Sequence, residues 1–288
     1  MSAQTPPIPR AVRGRFARRF LQQRLAVASL VVLCALIVIA IIAPWIAPND
    51  PFAQSLARVL AKPSPDHPLG TDELGRDVLS RLLMGARVSL LAAVQGTAVA
   101  LAIGVPLGLI AGFFRGVVDR VIMIITDAVM SLPGLVLAMA IVAIWGPNLT
   151  NAMVAIGIVV SPQALRLVRS SVLQIREETY VEASRSIGTR TAGIIMRHVL
   201  PNAAGPLIVF TALLAGSVML VEAGLSFIGL GVQPPEASWG SMLGTSFRYL
   251  SRAPELAIYP GLAIAITVLA LNLIGDGLRE SIGKRVHT

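Results

Sequence analysis

Asp127 and Glu222 are the acids that stand inside apolar runs of this 288-residue sequence. A carboxylate at membrane depth is costly, so it faces water or a partner, or it takes up a proton. Two assignments stay open. In one, either or both acids line a path for a solute and meet its ammonium group or a gating arginine. In the other, both sit near helix ends, hydrogen-bonded to neighbours or protonated. Asp127 follows Arg120 by seven residues, about 10 Å along a helix, which favours the helix-end assignment for it; for Glu222 the two are balanced.

The remaining reactive side chains are dispersed. His67, His198 and His287 fall in three separate polar stretches, so they cannot converge on a zinc site or supply a triad base. Cys34 is the single cysteine and lies in an apolar run, which leaves no intrachain disulfide and no multi-cysteine metal site. The lysines are Lys62 and Lys284, and Gly283-Lys284 lacks both the upstream glycine and the hydroxyl of a phosphate-cradling G-x-x-x-x-G-K-[ST] loop. Any ATP hydrolysis therefore belongs to another polypeptide, and no catalytic or metal-binding residue is assigned.

The polar stretch EETYVEASRSIGTRTAGIIMRHVLPN, residues 177–202, interrupts a chain otherwise fit for lipid. Residues 177–187 predict a short helix, with Glu177 and Glu178 in the first turn where they favour its dipole. Gly188 stands where a left-handed residue would end it. A second short helix over about 191–200 follows from Ile194, Ile195, Val199 and Leu200, with Pro201 helping to stop it. The segment is thus a helix–turn–helix with exposed apolar and charged side chains, or simply a solvated basic loop.

The elements that carry these residues follow from composition. The chain is 55% hydrophobic and 14% charged, with a mean hydropathy of +0.76, values of an integral membrane protein. Its net charge of +9 resides almost wholly in arginines beside the apolar runs, a pattern of membrane topology rather than of nucleic-acid binding. Six transmembrane helices are expected in an all-α polytopic fold: 25–47, within 88–112, about 121–144, 152–168, 204–225 and 256–275, each near the length that crosses hydrocarbon. WGPNLTN at 145–151 separates the third from the fourth. Ahead of them lies a basic arm, 1–24, too long in its following apolar run to be a cleaved signal. Gly104, Gly108 and Gly112 recur every four residues with Pro106 among them, which predicts close helix approach and a kink. Leu79, Leu82 and Leu83 opposite Asp77 and Arg81 predict an amphipathic interfacial helix inside 48–86, either a scaffold or a contact for a delivery protein. Lys and Arg number six in the arm, two at 115–120, six at 166–202 and three in the tail that includes 281–288. Residues 48–86 and 226–255 balance their bases with acids. The first set, with both termini, is therefore expected in the cytoplasm.

EASRSIGTRTAGIIMRHVLPN resembles the EAA loop of ABC importer permeases. Glu182 and Ala183 match its first two positions, Ser184 replaces the second alanine, Gly188 is the motif glycine, and His198, Leu200 and Pro201 lie in the closing HVLPN. HPLGTDELGRDVLSRLLMGARVSL at 67–90, LSFIGLGVQPPEASWGSML at 225–243 and GLAIAITVLALNLIGDGLRE at 261–280 resemble the C-type permease of dipeptide, oligopeptide and nickel importers. The likeness covers nearly the whole chain from residue 17.

That resemblance implies a type I ABC importer permease fold, with a permease domain over 87–280 and residues 177–202 as the coupling loop that docks on an ATPase. It implies a second, homologous permease, two cytosolic ATPase subunits that bind ATP and Mg, and an extracytoplasmic substrate-binding protein, in a bacterial cytoplasmic (inner) membrane. The substrate would be a di- or oligopeptide or a related solute such as glutathione or a nickel chelate. The alternative from the residues alone is an ion- or proton-coupled secondary carrier that uses Asp127 or Glu222.

Overall fold

In the computed structural model the described residues are 18–283, and among them the chain is helical, with one isolated bridge between Thr71 and Asp77. Helix α1 (Arg24–Ile46) is apolar on nearly every side and exposes Leu25, Val31 and Ile41, as a lipid-facing span does. The 37-residue helix α2 (Val78–Phe114) starts on Asp77, whose carboxylate accepts the Ser80 amide at 2.8 Å. This corrects the separate interfacial helix expected inside 48–86. Leu79, Leu82 and Leu83 belong to the first turns of α2, and Asp77 and Arg81 are 2% and 7% exposed, turned inward onto partners rather than outward to water.

Helices α3 (Gly116–Met130) and α4 (Gly134–Trp145) replace the single expected helix over 121–144 and meet at 91°. Pro133, which lacks an amide hydrogen, caps α4, and the Ser131 hydroxyl donates to the Ala128 carbonyl at 2.7 Å. The turn at 145–151 is where the sequence puts it. Helix α5 (Leu149–Ile175) then runs well past residue 168, because Arg166 and Arg169 find acids across the bundle and do not end the helix.

Helix α6 (Thr179–Ser186) and helix α7 (Thr191–Ile194) form the expected hairpin, but the second arm does not stop at Pro201. A five-residue π turn, Ile195–Val199, leads straight into α8 (Leu200–Phe227), with the Leu200 amide reaching back to the Ile195 carbonyl. The wider π register accommodates the proline within a continuing helix. Helix α9 (Trp239–Phe247) folds back over the end of α8, and α10 (Glu255–Gly283) returns to the end where the chain began. There Gln23 Nε2 donates to Ser281 Oγ at 3.4 Å, so both ends of the described chain lie together.

The bundle is cemented by small residues. A Cβ on Gly104 would stand 2.6 Å from the Ser161 carbonyl oxygen, and on Gly108 2.7 Å from that of Leu165. The four-residue spacing therefore joins α2 to α5 within one chain. At the opposite end from the hairpin, Trp239 is 2% exposed and donates its indole N–H to the Leu82 carbonyl at 3.0 Å. The α9 lid is thereby pinned to α2.

Candidate functional site

The hairpin of α6 and α7 is rooted by apolar side chains and topped by exposed ones. Val181, Ile194 and Val199 are buried with Phe113, Val168 and Val172 of the spans, a contact that desolvates the root and fixes its angle. Polar ties reinforce it: Arg115 pairs with Glu177 at 2.5 Å, and Arg176 donates to the Phe113 carbonyl at 2.7 Å. Within the hairpin Asn202 donates to the Tyr180 hydroxyl at 3.1 Å and to the His198 carbonyl at 2.7 Å. Partial desolvation, aided by the Glu178 charge, pushes the Tyr180 phenol above its usual range.

Each motif position has a distinct setting. Ser184 donates to the Tyr180 carbonyl at 2.8 Å and lies 3.4 Å from His198 Nε2, linking the two arms. Gly188 has φ +80°, the left-handed conformation its place in the motif predicts. Glu182 and Ala183 are exposed on α6, Leu200 is half-buried, and Pro201 is exposed at the start of α8. Ile187, which the sequence did not single out, is 82% exposed at the tip beside Gly188. An apolar side chain held so far into water is the signal that marks it.

Charged residues also line a seam between α3 and α5. Arg169 clasps Asp119 through two bonds of 2.6 Å, and Arg166 meets Asp127 at 2.6 Å. A cleft of about 660 Å³ opens along Arg115, Asp119, Arg120, Asp127 and Arg169. Asp127 therefore has an arginine partner and an open face. Glu222 is 1% exposed and accepts the Ser226 hydroxyl at 2.6 Å, under the α9 lid. Its second oxygen, Oε2, is also buried and accepts no hydrogen bond among the described residues.

At the lid end, Asp72 accepts from Arg76 Nε at 2.7 Å and forms an ion pair with Arg81 Nε at 3.3 Å, while Glu73 accepts from the other side of Arg76 at 2.8 Å. His67 Nδ1 lies 2.9 Å from Asp77 and its Nε2 3.0 Å from Arg58. This network stiffens the wall of a second cleft, about 820 Å³, between residues 52–81 and 226–248. The three histidines stay apart as far as they are described; His287 lies outside the described residues.

Residues 104–288 match the family described as the inner membrane component of binding-protein-dependent transport systems, and residues 13–63 match the N-terminal transmembrane domain of oligopeptide transport permease C. The glutathione transport system permease protein GsiD of Pectobacterium atrosepticum is 43% identical over 276 residues, 95% of this chain and 91% of that protein. The GsiD of Escherichia coli O6:K15:H31 is 42% identical over 274 residues, 94% and 90% of the two chains. A chain of the MetNI methionine ABC transporter, in an inward-facing conformation, superposes with a TM-score of 0.59 at 20% identity, over 70% of this chain and 96% of that one. That likeness shows the fold expected from the sequence, a type I ABC importer permease. The spans, the rooted hairpin and relatives that match along nearly their whole length lead to one assignment: the chain belongs to the inner membrane components of binding-protein-dependent transport systems, the permeases of ABC importers.

Proposed function

We propose that this permease carries small peptides inward, glutathione being the first to test because the relatives at 42% and 43% identity are named for it. The observation that carries the mechanism is the hairpin: its tip is exposed, its root is buried, and its second arm is continuous with α8. A push on such a handle moves a span as a rigid body, the kind of two-state change that couples distant sites. The partners are a second permease, two ATPase subunits that hold ATP and Mg, and a binding protein that delivers solute over the 820 Å³ cleft. Catalysis rests with the ATPases, since this sequence has no phosphate-cradling loop. A cytoplasmic hairpin and cytoplasmic termini, with the α9 lid outside the inner membrane, are supported by the excess of Lys and Arg on the hairpin side. Asp127 lines the path with its arginine, and Glu222 holds the lid. A secondary carrier is set aside because the chain belongs to the permeases of binding-protein-dependent transport systems.

The test reconstitutes the four kinds of subunit in liposomes and follows labelled glutathione and dialanine. ATP-dependent accumulation of either supports the proposal. Uptake that proceeds without the ATPase subunits, or no uptake of either peptide with active ATPases, refutes it.

A further inference from the structure

Helix α5 is the most enclosed of the long helices, yet its few exposed positions are all polar: Thr150, Gln163, Arg166, Ser170 and Gln174. From Gln163 onward the steps are three, four and four residues, which is one helix face. Exposed positions on α1, by contrast, include Leu25, Val31, Ile37 and Ile41. A polar stripe on a span helix cannot stand against hydrocarbon, and none of the described residues covers it. The cleft beside it points the same way. The Arg166 and Asp127 side chains are 46% and 58% exposed although they lie within span helices and meet at 2.6 Å. Arg120 lines the same cleft as Asp127 and has no ion pair among the described residues; Arg115 is matched by Glu177, which leaves Arg120, Arg166 and Arg169 against Asp119 and Asp127.

We infer that the α5 stripe from Gln163 to Gln174 is this chain's wall of the translocation path, and that Arg166 and Asp127 read the charged ends of a zwitterionic peptide. This rests on the permease function proposed above. A carboxylate would exchange onto Arg166, with Arg120 adding positive potential, while an ammonium group would take Asp127. Half-exposed partners suit this role, because a fully buried pair would hold too tightly to open for each solute. The sequence alone hides the stripe, since Arg166 and Arg169 look like the end of a span.

The test has two arms on the complete transporter, with Cys34→Ala as background. Cysteines placed singly at Gln163, Ser170 and Gln174 should react with a charged, membrane-impermeant thiol reagent admitted to both faces, and a cysteine at buried Val168 should not. Unreactive cysteines along the stripe would mean that the second permease seals it, and the inference fails. The second arm uses Asp127→Asn/Arg166→Gln, which removes both charges together and leaves no unpaired ion. Uptake of glutathione and of its diethyl ester is compared at saturating binding protein, so the binding protein's own preference cancels between variant and wild type. The preference for the free acid should fall about tenfold, the loss of roughly one charge-assisted contact. An unchanged preference overturns the role given to the pair. If wild type moves neither compound, the choice of glutathione falls by itself, dialanine uptake still decides the peptide proposal, and the thiol arm still decides whether the stripe is a water-facing wall.

Discussion

Gly188→Val should uncouple the permease from its ATPase through the backbone alone. Gly188 has φ +80°, and an added Cβ would have no atom within 4 Å, so the local structure offers room but the wrong hand. For a residue with a Cβ the left-handed region costs about 1–2 kcal/mol, and a β-branched side chain stands at the high end. That energy shifts the balance between the native turn and its competitors by roughly 5- to 30-fold. The α6–α7 angle would relax, and the tip carrying Ile187 would lose its presented position. Asparagine tolerates this region far better, so Gly188→Asn separates backbone strain from side-chain bulk. The assay is a binding titration of the ATPase subunits onto permease in nanodiscs, followed by ATP-driven uptake in liposomes. The expected order of affinity is Gly, then Asn, then Ala, then Val, with the valine variant weakened about tenfold. Wild-type binding by Gly188→Val would refute the argument, and equal damage from Asn and Val would move the cause from φ to crowding in the ATPase cleft.

Ile187→Asp and Glu182→Ala should both leave inserted, folded permease, since Ile187 is 82% exposed and Glu182 is on the open face of α6. Ile187→Asp should lower ATPase co-purification by at least about tenfold, as an exposed apolar anchor would, and Glu182→Ala should impair uptake. Gly108→Val places a Cβ 2.7 Å from the Leu165 carbonyl oxygen and should destabilise the α2–α5 contact by about 1–3 kcal/mol or more, read as earlier thermal unfolding in detergent. Glu222→Gln retains the contact with Ser226 and should keep uptake within about twofold of wild type, as expected of a buried packing residue; a large fall would return Glu222 to the path. In a Cys34-free background, cysteines at exposed Ser64 and Ser251 should label from outside intact cells and one at Thr189 only after the inner face is opened. Ser238 is unsuitable as a reporter because it is fully buried, and outside labelling of Thr189 would invert the orientation.

Sequence by itself determined the elements whose causes are local. Apolar runs of about 20 residues commit to helices wherever lipid surrounds them, which is why α1, α8 and α10 lie close to their expected places. The turn at Gly188 was legible for the same reason, since a backbone position that needs positive φ announces itself as glycine. The break at Pro133 was equally local, and its signal was present in SLPG at 131–134, outweighed by the long apolar interval around it. Tertiary structure alone decided what each charge is for. Asp127 and Arg166 are 39 residues apart and Asp119 and Arg169 are 50 apart, and nothing in either local stretch names the other. Asp77 and Arg81 form an amphipathic pattern on paper but are drawn inward by Asp72, His67 and the lid. The free energy of an ion at membrane depth depends on what stands across from it, and only the folded bundle supplies that neighbour.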